Sequence, residues 1–164
     1  MSDSDKPALY LETTVPSYYV ARPSRDVVAL AHQELTREWW ERRASNFTIY
    51  ISPLVLQEAA VGDAGAAARR LDVLAGFSVL RATEEIECLA QFYFQELCLP
   101  AKALRDAGHL AFACGYGMQY LLTWNCVHLA NAEIQFRLIE VNERRGLKTP
   151  IICTPEALMG FGEE

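Results

Sequence analysis

Five short apolar runs, each followed by a helical stretch, leave this chain very few ways to fold. Ala8 to Leu11, Thr48 to Ile51, Phe77 to Leu80, Tyr120 to Trp124 and Pro150 to Cys153 read as strands. Strands separated by helices cannot pair as tight hairpins, so they are expected to form a parallel sheet covered on both faces. Right-handed crossovers then leave a handful of topologies.

The helices between them carry start and stop signals. Pro16 to Tyr19 reads as a turn or short helix. Ser24 is placed to cap a long helix with Val28, Ala31, Leu35 and Trp39 facing inward. Ser52-Pro53 opens another helix, with a capping hydroxyl and a proline in the first turn. Ala64 to Ala75 is alanine-rich and stops at Gly76. Thr83 starts a helix bearing Ile86, Leu89, Ala90, Tyr93 and Leu97, which Leu99-Pro100 ends. Ala103 to Cys114 follows, closed by Gly115 and Gly117. Asn131 caps a helix with Ile134, Leu138 and Val141 inward and Gly146 as its stop, and Pro155 begins a short last one.

At 164 residues one domain is expected over 1–164, with 1–7 a flexible N-terminus. Met1 to Asp5 is polar and acidic, unlike a secretory leader, and no run nears the roughly 20 apolar residues of a membrane span. The five cysteines include no Cys-x-x-Cys pair and are expected to be reduced and largely buried in a cytoplasmic protein. A net charge of −6 argues against coating nucleic acid through a global field. The clusters Arg37, Arg42 and Arg43, then Arg69 and Arg70, then Arg144, Arg145 and Lys148 fall near helix ends. There cations offset the macrodipole without any ligand.

Polar residues at strand ends point to a site. In open parallel sheets, ligands gather beyond the carboxyl ends of the strands. Glu12 follows Leu9-Tyr10-Leu11, and Asn125 follows Leu121-Leu122-Thr123-Trp124. Glu58 lies on the helix after the second strand, and Asp106 on the helix before the fourth. Oxygen groups converging in this way suit a hard divalent cation. Asp106 and His109 share a helix face at i, i+3 spacing, where His109 is a candidate to orient Asp106 or a phosphate. Thr14 and Thr123 are candidates to hydrogen-bond the ligands. Trp39 and Trp124 read as core. A zinc site from His109, Cys114, Cys126 and His128 matches no standard spacing. A phosphoaspartyl hydrolase wants Asp-x-Asp after strand one, where this chain has Glu12-Thr13-Thr14.

These motifs resemble a PIN domain, the fold of many metal-dependent ribonucleases including toxins of VapC type. The resemblance rests on Glu12-Thr13-Thr14, on Glu58 in Leu54-Val55-Leu56-Gln57-Glu58, on Asp106 with His109, and on Leu121 to Asn125. It runs from Leu9 to about Leu158. It implies an α/β three-layer fold with a five-stranded parallel sheet in the order 3-2-1-4-5, so that Glu12 and Asn125 face each other. The implied catalytic set is Glu12, Glu58, Asp106 and Asn125, with Glu12, Glu58 and Asp106 on Mg2+ or Mn2+. The family pattern has Asp where this chain has Glu12 and Asn125. A subset of uncharacterised PIN-like proteins looks similar at both positions.

The expectation is a metal-dependent endoribonuclease acting on RNA, a toxin with an antitoxin partner. The alternative is a weakened PIN domain serving as a binding module for nucleic acid or protein. Repulsion among Glu12, Glu58 and Asp106 is expected to raise at least one pKa. A homodimer is expected through some of Trp39, Trp40, Phe92, Tyr93 and Phe94, because neighbours on a helix cannot all point inward.

Overall fold

The computed structural model describes residues 6–160; the expected flexible tail 1–7 therefore lies mostly outside the described residues. Five strands pair in parallel in the order β3-β2-β1-β4-β5. They are β1 Ala8–Leu11, β2 Thr48–Ile51, β3 Ser78–Val79, β4 Tyr120–Leu122 and β5 Ile151–Cys153. Seven α-helices surround the sheet: α1 Thr14–Val20, α2 Val27–Arg42, α3 Pro53–Ala59, α4 Ala64–Leu74, α5 Glu84–Glu96, α6 Leu104–Gly115 and α7 Ala132–Arg145. This is the PIN-like arrangement that the resemblance implies.

The central strand explains the order. Leu9, Tyr10 and Leu11 have no exposed surface at all, which only a strand flanked by strands and covered on both faces achieves. β1 pairs with β2 on one side and with β4 on the other, with Leu11 opposite Leu122. One further backbone bond, Glu12 N–H to the Leu122 carbonyl at 3.1 Å, carries the ladder past the strand end. Glu12 and Thr123 are therefore next to each other by register. Tyr10 stacks on Phe112 of α6, which seats that helix over β1.

Local signals set most helix ends. Ser52, Asp63, Thr83 and Asn131 cap α3, α4, α5 and α7 through side-chain oxygens. Gly146 ends α7 in the left-handed region, at φ 67°. The start of α2 differs from expectation. Asp26 is its cap, while Ser24 accepts from the Asp26 N–H in the preceding turn. Val28 and Ala31 are exposed, and the buried face is Gln33, Thr36 and Trp39. The helix is rotated because Gln33 and Thr36 bond inward. Gln33 ties the Arg22 carbonyl and the Ser24 N–H, and Thr36 accepts from the Trp124 indole.

Other expectations change as well. Trp39 and Tyr93 are buried and so unavailable to a dimer face, while Trp40, Phe92 and Phe94 pack against the core and keep part of their surface exposed. Cys88, Cys98 and Cys126 are exposed, Cys153 is half-buried and Cys114 alone is buried. The exposed three sit on the outer face of α5, in the turn after it and in the loop beyond β4, where packing makes no demand. Arg42 pairs with Glu38, and Arg70 bonds the Ala59 and Val61 carbonyls at the end of α3. Arg145 lies over Phe92. Among the described residues no helix is long and apolar enough to cross a membrane.

Far from the pocket, Asn142 of α7 is wholly buried. It accepts from the Tyr93 hydroxyl and donates to Thr149 Oγ1 at 2.9 Å. Asn142→Leu should cost about 2–3 kcal/mol, since it leaves the Tyr93 hydroxyl in the core without its acceptor. Urea denaturation of the two proteins measures this.

Candidate metal centre

The four positions singled out in the sequence line one open pocket of about 750 Å³ at the carboxyl end of the sheet. Glu12 arrives from β1, Glu58 from α3, Asp106 from the first turn of α6 and Asn125 from the loop after β4. The α3–α6 approach is close. A Cβ on Gly108 would stand 2.8 Å from Leu54 Cδ2.

Within the pocket the acids fall into two groups. Glu12 is almost fully buried, and its Oε2 accepts from three donors: Thr14 N–H at 3.1 Å, Thr14 Oγ1 at 2.5 Å and Thr123 Oγ1 at 2.7 Å. Such satisfaction is what a buried carboxylate needs. Glu58 Oε2 accepts from Thr13 Oγ1 and from His109 Nε2, the latter at 3.0 Å. Each glutamate thus has one committed oxygen and one left over. The two remaining Oε1 atoms meet cations only at longer range. His109 Nε2 is 4.0 Å from that of Glu12, and Arg105 Nη1 is 3.8 Å from that of Glu58. Among the described residues, Glu12, Glu58 and His109 form a cluster whose ligand atoms lie within 4.8 Å of one another.

Asp106 stands apart on the same wall. Its Oδ1 accepts from Asn125 Nδ2 at 3.0 Å, and its Oδ2 lies 2.9 Å from His128 Nδ1. Asn125 Oδ1 in turn accepts from the Val127 and His128 N–H groups. Asn125 therefore meets Asp106; the group that meets Glu12 is Thr123. Thr14 and Thr123 bond an acid as expected, but His109 holds Glu58, with Asp106 held by His128 instead. Thr13, Tyr10, Ser52 and His128 carried no spacing signal, because their partners are brought in by the fold.

The charges are balanced more than expected. Burial pushes the Glu58 pKa up. Its bonds to His109 and Thr13, with the charges of His109 and Arg105, more than reverse this and hold it below the ordinary value. Burial pulls His109 down, while its bond to Glu58 and the charges of Glu12, Glu58 and Asp106 bring it above its usual value. The expected upward shift from repulsion is not what Glu58 shows, because a histidine sits between the acids.

The arrangement is PIN-like in topology. No protein-family model and no curated protein matches the chain. Among solved structures it is similar to VapBC2 from Rickettsia felis bound to a DNA fragment from their promoter, with a TM-score of 0.56. The two are 16% identical, and the match covers 90% of this chain and 98% of that one. At that identity the likeness is one of fold.

The Glu58–His109 pair has a pH signature. A depressed carboxylate stabilises above its unfolded value of about 4.5 and loses that contribution as pH falls through the lower folded value. A raised imidazole stabilises below about 6.5 and loses its contribution as pH rises through the higher folded value. The pair should therefore stabilise most between about pH 4.5 and 6.5. The urea midpoint should fall above that window in the wild type and fall less in His109→Gln. Parallel curves for the two proteins would remove the pair from the pH dependence.

Proposed function

We propose that this chain is a divalent-metal-dependent endoribonuclease of PIN type. The observation that carries this reading is the pair of uncommitted Oε1 atoms of Glu12 and Glu58, held at the mouth of a parallel sheet with Asp106 on the same pocket wall. Carboxylate oxygens on elements fixed by hydrogen bonds fit a hard cation, Mg2+ or Mn2+, better than a soft one. Glu12 and Glu58 would hold the ion, with Asp106 completing the set. Such an ion supplies Lewis acidity toward a phosphate and lowers the pKa of a bound water.

The protein's own groups do the rest. Thr14, Thr123 and Thr13 keep the glutamates in place. Arg105 is the one cation among the described residues lining the pocket, and it is half exposed, so a phosphate of the RNA can draw it from Glu58. Asp106 and Asn125 line the same pocket, where Asp106 would help position the attacking water. Partnership with an antitoxin protein is part of this proposal and is supported by the likeness to VapBC2. A homodimer is part of this proposal, through the partly exposed Trp40, Phe92 and Phe94 or through the exposed Phe136 and Ile139 of α7.

The second reading, a binding module without catalysis, is favoured by one observation. Both oxygens of Asp106 are already engaged, by Asn125 and His128. Asn125→Asp separates the two readings. It replaces the Nδ2 donor by an acid opposite Asp106, adding the charge that Asn125 lacks.

Mn2+ in hundredfold excess over its dissociation constant should stabilise the fold by about 2.7 kcal/mol, or roughly 5–10 °C in melting temperature. Asp106→Asn should remove most of that rise. An equal rise in Asp106→Asn would take Asp106 out of the site. Mixed-sequence RNA should be cleaved with Mn2+ preferred to Mg2+, faster by Asn125→Asp and not at all by Glu12→Ala prepared in parallel. Equal cleavage by wild type and Glu12→Ala would mark a contaminant, and silence of Asn125→Asp would favour the binding module.

A further inference from the structure

His109 is 1% exposed, and both ring nitrogens are bonded, one toward the core and one toward the pocket. Nδ1 lies 2.8 Å from the Tyr10 hydroxyl on β1. That hydroxyl lies 2.7 Å from Ser52 Oγ, which also accepts from the Val55 N–H as the cap of α3. Nε2 reaches Glu58 Oε2, further along the same helix. A polar chain thus leaves the start of α3, crosses β1 and α6, and returns to α3 at the carboxylate.

We propose that His109 is a positioning residue for Glu58. Its Nε2–H, aimed by Tyr10 and Ser52, holds Oε2 and leaves Oε1 as the oxygen offered to the pocket. The proposal rests on the metal-binding reading above and assigns the third member of the Glu12–Glu58–His109 cluster a role other than ligand.

Donor counting supports it in either protonation state. In neutral His109, the Tyr10 O–H donates to Nδ1, so the proton sits on Nε2 and points at Glu58. In protonated His109, Nδ1–H donates to Tyr10, whose own O–H turns to Ser52, and Nε2–H again points at Glu58. The remaining tautomer would set a bare Nε2 lone pair against a carboxylate oxygen, which is repulsive. With its proton committed to Glu58, Nε2 has no lone pair for an ion. Buried polar networks hold their members in one geometry when every member is bonded. Here Tyr10, Ser52, His109 and Thr13 are all bonded, and the chain ends on an acid at the pocket.

The test compares Mn2+ binding by calorimetry in wild type, Tyr10→Phe, His109→Gln and His109→Leu, with 15N spectra of the His109 ring in metal-free protein. His109→Leu should weaken Mn2+ binding about tenfold or more, the usual loss when a group orienting a ligand is removed. His109→Gln, which keeps an N–H donor near the Nε2 position, should recover part of it. Tyr10→Phe should fall between wild type and His109→Leu with the same far-ultraviolet spectrum. It carries the comparison if His109→Leu fails to fold. The wild-type ring should show a protonated Nε2 whose signal moves in Glu58→Gln.

Unchanged Mn2+ affinity in Tyr10→Phe and His109→Leu overturns the proposal while sparing the ion reading. A bare Nε2, or one whose signal ignores Glu58→Gln, also overturns it. If wild type binds no Mn2+, the ion reading fails, and the ring spectra alone decide whether His109 positions Glu58.

Discussion

A carboxylate placed at the end of a fully buried strand has to be matched by donors, and most of this architecture follows from how Glu12 is matched. Left alone in such a place, the group would protonate or break the packing around it. Its donors come from the start of α1 and from the residue after β4. Thr14 also accepts from the Trp124 N–H, and Thr123 from the Asn125 N–H. The loop that bears Asn125 is therefore hung from the same two hydroxyls that satisfy Glu12. Exchanging β4 for another neighbour of β1 would lose the acid, the loop and the pocket wall together.

Two polar clusters share the pocket, and they differ in what they leave free. The glutamates each keep one oxygen without a short bond, whereas both oxygens of Asp106 are hydrogen-bonded. Asn125 turns that difference into structure, since its amide donates to Asp106. An acid there could not make that bond.

Much of this was legible in the chain. β1 and β2 begin and end where the apolar runs do, and the caps Ser52, Thr83 and Asn131 mark their helices. Glu12 and Asn125 follow strands and Asp106 opens a helix, whereas Glu58, near the end of α3, is reached through the resemblance. What sequence spacing could not reach was pairing across distance. Val28 and Ala31 look like a helix core face, yet Gln33 and Thr36 turn inward because the 22–24 segment and Trp124 need their polar ends. His109 shares a helix face with Asp106, but each bonds a residue from elsewhere, and only the placement of α3 and the β4 loop decides which. The cysteines were read by the average habit of the residue type, which says little about a given surface.

Thr123 and Glu12 are 111 positions apart, and Tyr10 and His109 are 99 apart. Closing loops of that length precedes any reward from the contacts they bring, so the centre of the sheet is among the last parts able to form. During synthesis β1 is made more than a hundred residues before β4 and waits, with an acid at its tip, until β4 has followed. A product cut short before Thr123 would carry both glutamates and no assembled centre. Whatever chemistry the pocket performs has to wait for β4 and the loop that bears Asn125.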